Sequence, residues 1–533
     1  MAVLLAALAA HLGALGGGFV YDDRPAILEN PVVQGAWDAG ELLRRDFWGR
    51  PPGAGAPATW RPLVEATLWA DWHRGGGEAR AFHVTNWLLH GLAALALGLA
   101  LRVQTGRSDV ALAAAGVFAV MGAGSEAVAG IVGRADVMAA GLAMLAWAAA
   151  GRPADTDGRG EAGAARIAAA GGLACLAMLC KESAVVLPLL VIGCDVVLGG
   201  GRAARRGWPR YLALGLALVA AVALRLHYFG SPAAVARAAN NNPLVDEALG
   251  VRLLTAPRLF LLALRVLVLP INTSADYSFA EVLPERSLLS ADVLAGLAAL
   301  ALLAGAVPLL RDRRPAAALG ALLLVVGWLP ASNAAFALPA IFAERLLYLP
   351  AAGAALLLAD LAAFLGERLG RPAGLVVLGG VMAGNAALAV VADRTWRDDL
   401  TLFSQAVSVS TRSARAWLNY GTALDRAGRP DEALEAVERG LAIAPGWAAL
   451  HAEAGALLDR AGRRDEAASA LQRAVTLDPA DARSAFNLAL FLARHGDRPA
   501  ALAAARRYLA NNPGRLADGA PLRRLEADLA ARP

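Results

Sequence analysis

Lysine is almost absent. Lys181 is the only one in 533 residues, and arginine supplies every other basic side chain. Charged residues make up only 18% of the chain, against about a quarter in soluble domains. With 57% hydrophobic residues and a mean hydropathy of +0.49, this excludes a disordered chain and a set of ordinary soluble domains. Cysteine is scarce too. Cys175, Cys180 and Cys194 lie in apolar segments with no CxxC pair, which argues against a disulfide framework or a zinc site. The net charge of +5 does not point to nucleic acid. The arginines gather in short loops between apolar runs, where membrane topology accounts for them. Abundant alanine, with arginine in place of lysine, points to a GC-rich bacterial genome.

Long apolar runs fill the chain up to about residue 391, as in a polytopic membrane protein. Eleven spans are expected, near 2–18, 84–101, 109–124, 135–150, 166–180, 183–199, 209–227, 289–310, 316–332, 345–365 and 372–391. The first lacks the basic flank and small-residue cleavage site of a signal peptide. The run 253–270 contains Arg258 and Arg265, seven residues apart and so on one helical face. A charge at mid-bilayer costs at least about 2.5 kcal/mol, so this stretch reads as an interfacial or re-entrant helix. Eleven spans with the N-terminus inside put Arg102 and Arg107, Arg152 and Arg159, Arg202 to Arg206, Arg311 to Arg314, and Arg368 with Arg371 in cytoplasmic loops. The odd count places the C-terminal region outside.

That region repeats. Gly428, Gly462 and Gly496 are 34 residues apart, as are Ala433, Ala467 and Ala501, and Pro445, Pro479 and Pro513. This is the tetratricopeptide period, with Trp417, Tyr420 and Gly421 completing the first unit. The chain thus divides into a membrane domain, 1–391, with a first external loop 19–83 and an interfacial segment 230–288; a connector, 392–413; three repeats, 414–515; and a capping helix or tail, 516–533. The fold class is all-α, a membrane helix bundle followed by an α-solenoid. Three repeats suffice to stack and offer a concave face to a peptide or protein partner.

Ionisable residues gather at the expected outer boundary. Asp22 and Asp23 follow the first span directly. Paired carboxylates there suit a base, an acid or ligands of a divalent cation. Arg61 lies in the same loop, and His83 and His90 bracket the start of the second span. Glu126, Arg134 and Asp136 form the next outer turn, Lys181 and Glu182 another, and Glu344 with Arg345 begin the tenth span. Arginine and lysine there can hold a phosphate through charge-assisted hydrogen bonds. Each residue also has a structural reading, as a helix cap, a local ion pair or a packed histidine.

The order FVYDD, WRPL, FHVTNWLLH, SEAVAGIVGRAD, CKES, SADYSF and AERLLYLP, followed by the repeats, resembles the transmembrane and tetratricopeptide-repeat O-mannosyltransferases, which belong to the GT-C class of membrane glycosyltransferases. The resemblance runs from about Phe19 to Pro513. It implies transfer of mannose or another hexose from a polyprenyl-phosphate carrier to a protein hydroxyl on the outer face of the membrane. The base would be Asp22 or Asp23. Arg61, His83, Glu126, Arg134, Asp136, Lys181, Glu182, Glu344 and Arg345 would hold donor phosphate or substrate, with His90, Arg258 and Arg265 as further candidates. Partners would be the lipid-linked donor, a protein or peptide acceptor bound by the repeats, and membrane lipid, with no nucleic acid. The sequence leaves the cofactor unknown, with a divalent cation at Asp22 and Asp23 as one possibility. The place would be a bacterial inner membrane, N-terminus cytoplasmic and repeats periplasmic. Where relatives read HPVHTEAVA, this chain reads MGAGSEAVA, so Met121 and Gly124 replace two histidines. That departure leaves a rival reading, a catalytically inactive membrane-anchored scaffold. A transporter fits less well, because the polar residues crowd the outer rim rather than the midplane.

Overall fold

The computed structural model describes residues 1–52, 59–152, 163–229, 241–512 and 519–531. Every regular element among them is helical. Seven helices are long and apolar enough to cross a bilayer: Ala79–Thr105, Ile131–Ala150, Glu182–Arg206, Trp208–Phe229, Ala291–Leu310, Glu344–Leu369 and Arg371–Thr395. Ser108–Ala119 and Gly122–Ala129 make an eighth if taken as one span bent by 57°.

Of the eleven expected spans, seven, or eight with the bent pair, meet this length and hydropathy. Helices occupy all eleven places, but Ala164–Cys180 and Pro315–Ala331 are shorter apolar helices. The first is shorter still. Ala2–Ala10 is a nine-residue α-helix, followed by a 3-10 turn at Leu12–Gly16. Nine residues rise about 14 Å, roughly half of the ~30 Å hydrocarbon layer. His11 follows the helix, its ring in a buried contact with Asp393 at 3.2 Å. The helix Leu249–Val268 carries Arg252, Arg258 and Arg265 and is not among the seven.

Burial separates central from peripheral spans. In the most apolar 18 residues, 78% of Ile131–Ala150 and 72% of Glu344–Leu369 are buried within the protein, against 11% of Ala291–Leu310. The peripheral helices present leucine and valine outward, such as Leu216, Leu302 and Val376, a surface suited to lipid tails and unsuited to water. At one end of the bundle the arginine loops meet. Arg314 donates to Asp360 at 2.8 Å and to Glu367 at 2.9 Å, and Arg210 pairs with Asp195 while donating to the Gly151 carbonyl. Arg159 lies outside the described residues. The opposite end carries the first loop, the connector and the repeats.

The repeats form the helix pairs Ala414–Arg426 with Pro430–Ile443, Ala448–Arg460 with Arg464–Leu477, and Ala482–Arg494 with Arg498–Asn511. The 34-residue glycine period has a backbone cause. Gly428, Gly462 and Gly496 turn the chain between paired helices at φ of 76°, 75° and 85°, the left-handed region that glycine enters without penalty. Pro513 lies outside the described residues. The connector contains a helix of its own, Asp399–Val409, which stacks on the first repeat. Ala520–Ala531 closes the other end through the buried Leu522.

Candidate active site

Three of the outer motifs open with a turn of 3-10 helix: Ile131–Gly133, Glu182–Val186 and Glu344–Leu347. These tight turns put the motif side chains at helix N-termini, where carboxylates are favoured by the helix dipole. The cations among them therefore need partners, and each has one. The break after Ala119 does the same for Glu126, which the bend of 57° turns toward the first residues of Glu344–Leu369.

Arg345 is the centre. Its N–H donates to Glu126 Oε2 at 2.8 Å, and its Nη1 meets Glu126 Oε1 at 2.5 Å. Its Nη2 faces Asp22 Oδ2 at 3.6 Å. Glu126 is buried, but the Arg345 and Asp22 side chains remain 23% and 29% exposed. A carboxylate and a guanidinium thus stand open side by side, with a second carboxylate fixing the guanidinium from behind.

Asp23 turns the other way. It is 1% exposed and accepts N–H bonds from Val20 at 3.1 Å and Val132 at 2.9 Å. Burial raises its pKa to about 7, against the lowering pull of those N–H groups. Asp23 staples the first loop to the 130–132 turn. The two carboxylates thus hold different partners, Asp22 facing the Arg345 guanidinium and Asp23 two backbone N–H groups. Among the described residues no group of three or more His, Cys, Asp or Glu side chains is arranged for a metal ion.

The remaining candidates fall into two sets. Close to the centre, Lys181 Nζ meets both oxygens of Asp136, at 2.6 and 2.5 Å, and lies within electrostatic reach of Arg61 and Arg345. Arg61 faces Glu182 at 3.6 Å, and Glu182 is half exposed. Glu344 accepts from Tyr277 Oη at 2.6 Å and from the Ser274 N–H at 2.9 Å. Arg134, by contrast, is fully buried among protein partners. It donates to Asn86 Oδ1 at 2.6 Å, Thr67 Oγ1 at 3.1 Å and the Phe82 carbonyl at 2.9 Å, and pairs with Asp71 at 2.6 Å. His83 and His90 are buried braces. His83 Nε2 donates to the Gly18 carbonyl, and His90 sits between the Tyr348 hydroxyl and the Ala119 carbonyl. Arg258 is taken up by Glu285 and Asp292, and Arg265 reaches the Asn272 carbonyl at 3.5 Å. Both arginines line a separate cleft of about 920 Å³ beside Tyr277, Gln405 and Ser408.

Sequence reasoning passed over three residues on the repeat side. Arg415, in the first repeat helix, pairs with Asp276 and lies over the Tyr21 ring, 5.8 Å from its centroid. Burial alone would raise the Asp276 carboxyl. Arg415 and the bonds from Ser278 overcome it and hold the group below the usual carboxylate value. Asp399, the first residue of the connector helix, accepts from the Tyr21 N–H at 2.8 Å. Asp276 belongs to the SADYSF motif, whereas Arg415 and Asp399 fall in segments that read as packing or connector and carry no local signal.

The tetratricopeptide repeat family model matches residues 385–446 and 453–515. Protein O-mannosyl-transferase Tmtc1 of Drosophila melanogaster is 29% identical over 532 residues, covering 83% of this chain and 61% of its own. Protein O-mannosyl-transferase TMTC4 of Homo sapiens is 29% identical over 470 residues, covering 78% of this chain and 62% of its own. Protein O-mannosyl-transferase Tmtc2 of Drosophila melanogaster is 34% identical over 279 residues, covering 50% of this chain and 29% of its own. The chain is thus homologous over most of its length to proteins so named, and spans about three fifths of the length of Tmtc1 and TMTC4.

Proposed function

We propose that the protein is a membrane glycosyltransferase that moves mannose or another hexose from a polyprenyl-phosphate carrier to a protein hydroxyl, with Asp22 as the general base. The observation that carries this reading is the open Asp22–Arg345 pair, braced by Glu126, at the end of the bundle that bears the repeats. Asp22 accepts the proton of the acceptor hydroxyl as its oxygen bonds to the anomeric carbon. The bond from that carbon to the carrier phosphate breaks, and polyprenyl phosphate leaves with the bonding pair, so the anomeric configuration inverts. Charge develops on the departing phosphate, where a preorganised cation is most effective. Arg345 Nη2 stands nearest Asp22, and Lys181 and Arg61 extend the cationic rim.

The setting in this reading is a bacterial cytoplasmic membrane, with the arginine-rich loops inside and the repeats outside holding an acceptor or partner. The positive-inside rule supports that orientation. One observation favours the rival scaffold. From Met121 to Ser125 the chain approaching the site carries no ionisable side chain, and Met121 is packed at 1% exposure.

The test is label transfer by the purified protein in nanodiscs, from radiolabelled polyprenyl-phosphate mannose to a periplasmic extract. Label on protein supports the transferase. No label from several polyprenyl-phosphate sugars, while the repeats still retain a protein from the same extract, would favour the scaffold.

A further inference from the structure

The loop that carries Asp22 is held from the repeat side as well as by the membrane bundle. Tyr21, just before it, adopts φ of 54°. A non-glycine residue stays in that left-handed region only where its surroundings over-determine it. Asp399 supplies much of the hold. Its Oδ1 accepts the Tyr21 N–H at 2.8 Å, and its Oδ2 accepts from Arg24 Nε at 3.0 Å. One carboxylate therefore grips the chain on both sides of Asp22 and Asp23. Asp399 is itself tied to the first repeat, since Arg426 Nη1 lies 3.2 Å from Oδ2. Around this grip the Gly18 N–H donates to the Arg397 carbonyl at 2.9 Å. The Tyr21 ring packs edge-on against Phe403 of the connector helix, at 5.3 Å.

We propose that Asp399 is a positioning residue for Asp22, through which the connector and the first repeat set the geometry of the catalytic loop. The inference rests on the reading of Asp22 as the base. Its physical content is a lever. Releasing the Tyr21 N–H lets its φ return toward the negative values most residues prefer, and that rotation swings the next peptide, with Asp22, away from Arg345. The partners of Asp399 are the Tyr21 N–H and the Arg24 and Arg426 side chains, so its effect on Asp22 runs through placement of the loop. An acceptor that shifts the first repeat would act on the base by the same route.

The experiment uses the full chain in nanodiscs, comparing wild type, Asp399→Ala, Asp399→Asn, Asp22→Asn and the double variant Asp22→Asn/Asp399→Ala. Arg460→Ala is the control. It removes a similar ion pair, Arg460 with Asp425 at 2.7 Å, one repeat further along. Amide hydrogen exchange is followed in the peptide spanning residues 17–24. Transfer is followed with radiolabelled polyprenyl-phosphate mannose and periplasmic extract, varying the donor. Asp399→Ala is expected to raise exchange in that peptide and lower Vmax, each about tenfold or more, with the donor KM held within about twofold. Asp399→Asn, which keeps one acceptor oxygen, should recover part of the loss. The double variant should be no slower than Asp22→Asn alone, as for two residues acting through one group. Arg460→Ala should leave both readouts at wild type. Unchanged exchange in Asp399→Ala, or full Vmax there while Asp22→Asn is inactive, would overturn the proposal. Full activity of Asp22→Asn is a separate result that removes the base assignment itself, and this lever with it.

Discussion

Desolvation divides roles between side chains of one kind. Asp23 and Glu65 are both buried carboxyls of the first loop region, raised by burial to about 7 and about 8 despite hydrogen bonds that favour their charged forms. A carboxyl whose folded pKa lies above its unfolded value binds more protons when folded, so stability falls as pH rises between the two values. For these groups the window runs from about pH 4 to about pH 8. Thermal unfolding should therefore show a midpoint that declines through this window, and Glu65→Gln should flatten the decline. An unchanged slope in Glu65→Gln would contradict the assignment. The sequence made Asp22 and Asp23 equal candidates because adjacency says nothing of solvent. What distinguishes them is Val132, a partner 109 residues away from Asp23.

At the level of elements, Arg134 ties three helices together. In the chain it stands beside Asp136 and suggests a ligand for phosphate. In the fold it binds the helix Pro62–Gly75 through Asp71 and Thr67, and the helix Ala79–Thr105 through Asn86 and Phe82, onto its own span. Breaking a buried pair by removing one partner costs about 3–5 kcal/mol. Arg134→Ala should lose stability on that scale, read as a fall in the thermal midpoint, whereas a midpoint equal to wild type would argue for a ligand role instead. The repeat turns were legible for a local reason. A left-handed turn selects glycine, so Gly428, Gly462 and Gly496 declared themselves by period alone. Gly462→Ala should cost about 1–2 kcal/mol by forcing an L side chain into that region, again read from the unfolding midpoint.

Over the whole molecule, hydropathy located apolar helices at all eleven expected places, of which seven, or eight with the bent pair, have the length and hydropathy of a full span. Apolar length alone does not report that His11, after the first helix, contacts Asp393 or that the chain bends by 57° on the way to Glu126. Arg314, Asp360 and Glu367 of the arginine-rich loops come together at the end away from the repeats, and the positive-inside rule would make that end cytoplasmic. Alkaline phosphatase fused after Asn512 should be active and fused after Arg313 inactive, with the reverse pattern contradicting the orientation. The docking of repeats on the site was invisible beforehand, because Asp399 and Arg415 acquire meaning only when the connector folds back on Tyr21. The most direct test of the account is the transfer rate of Asp22→Asn against Asp23→Asn, with radiolabelled polyprenyl-phosphate mannose as donor. Asp22→Asn should lose on the order of 10²–10⁴-fold, the usual contribution of a positioned base, while Asp23→Asn, which keeps one acceptor oxygen for one of its two N–H partners, should lose far less. Full activity in Asp22→Asn together with loss in Asp23→Asn would contradict it.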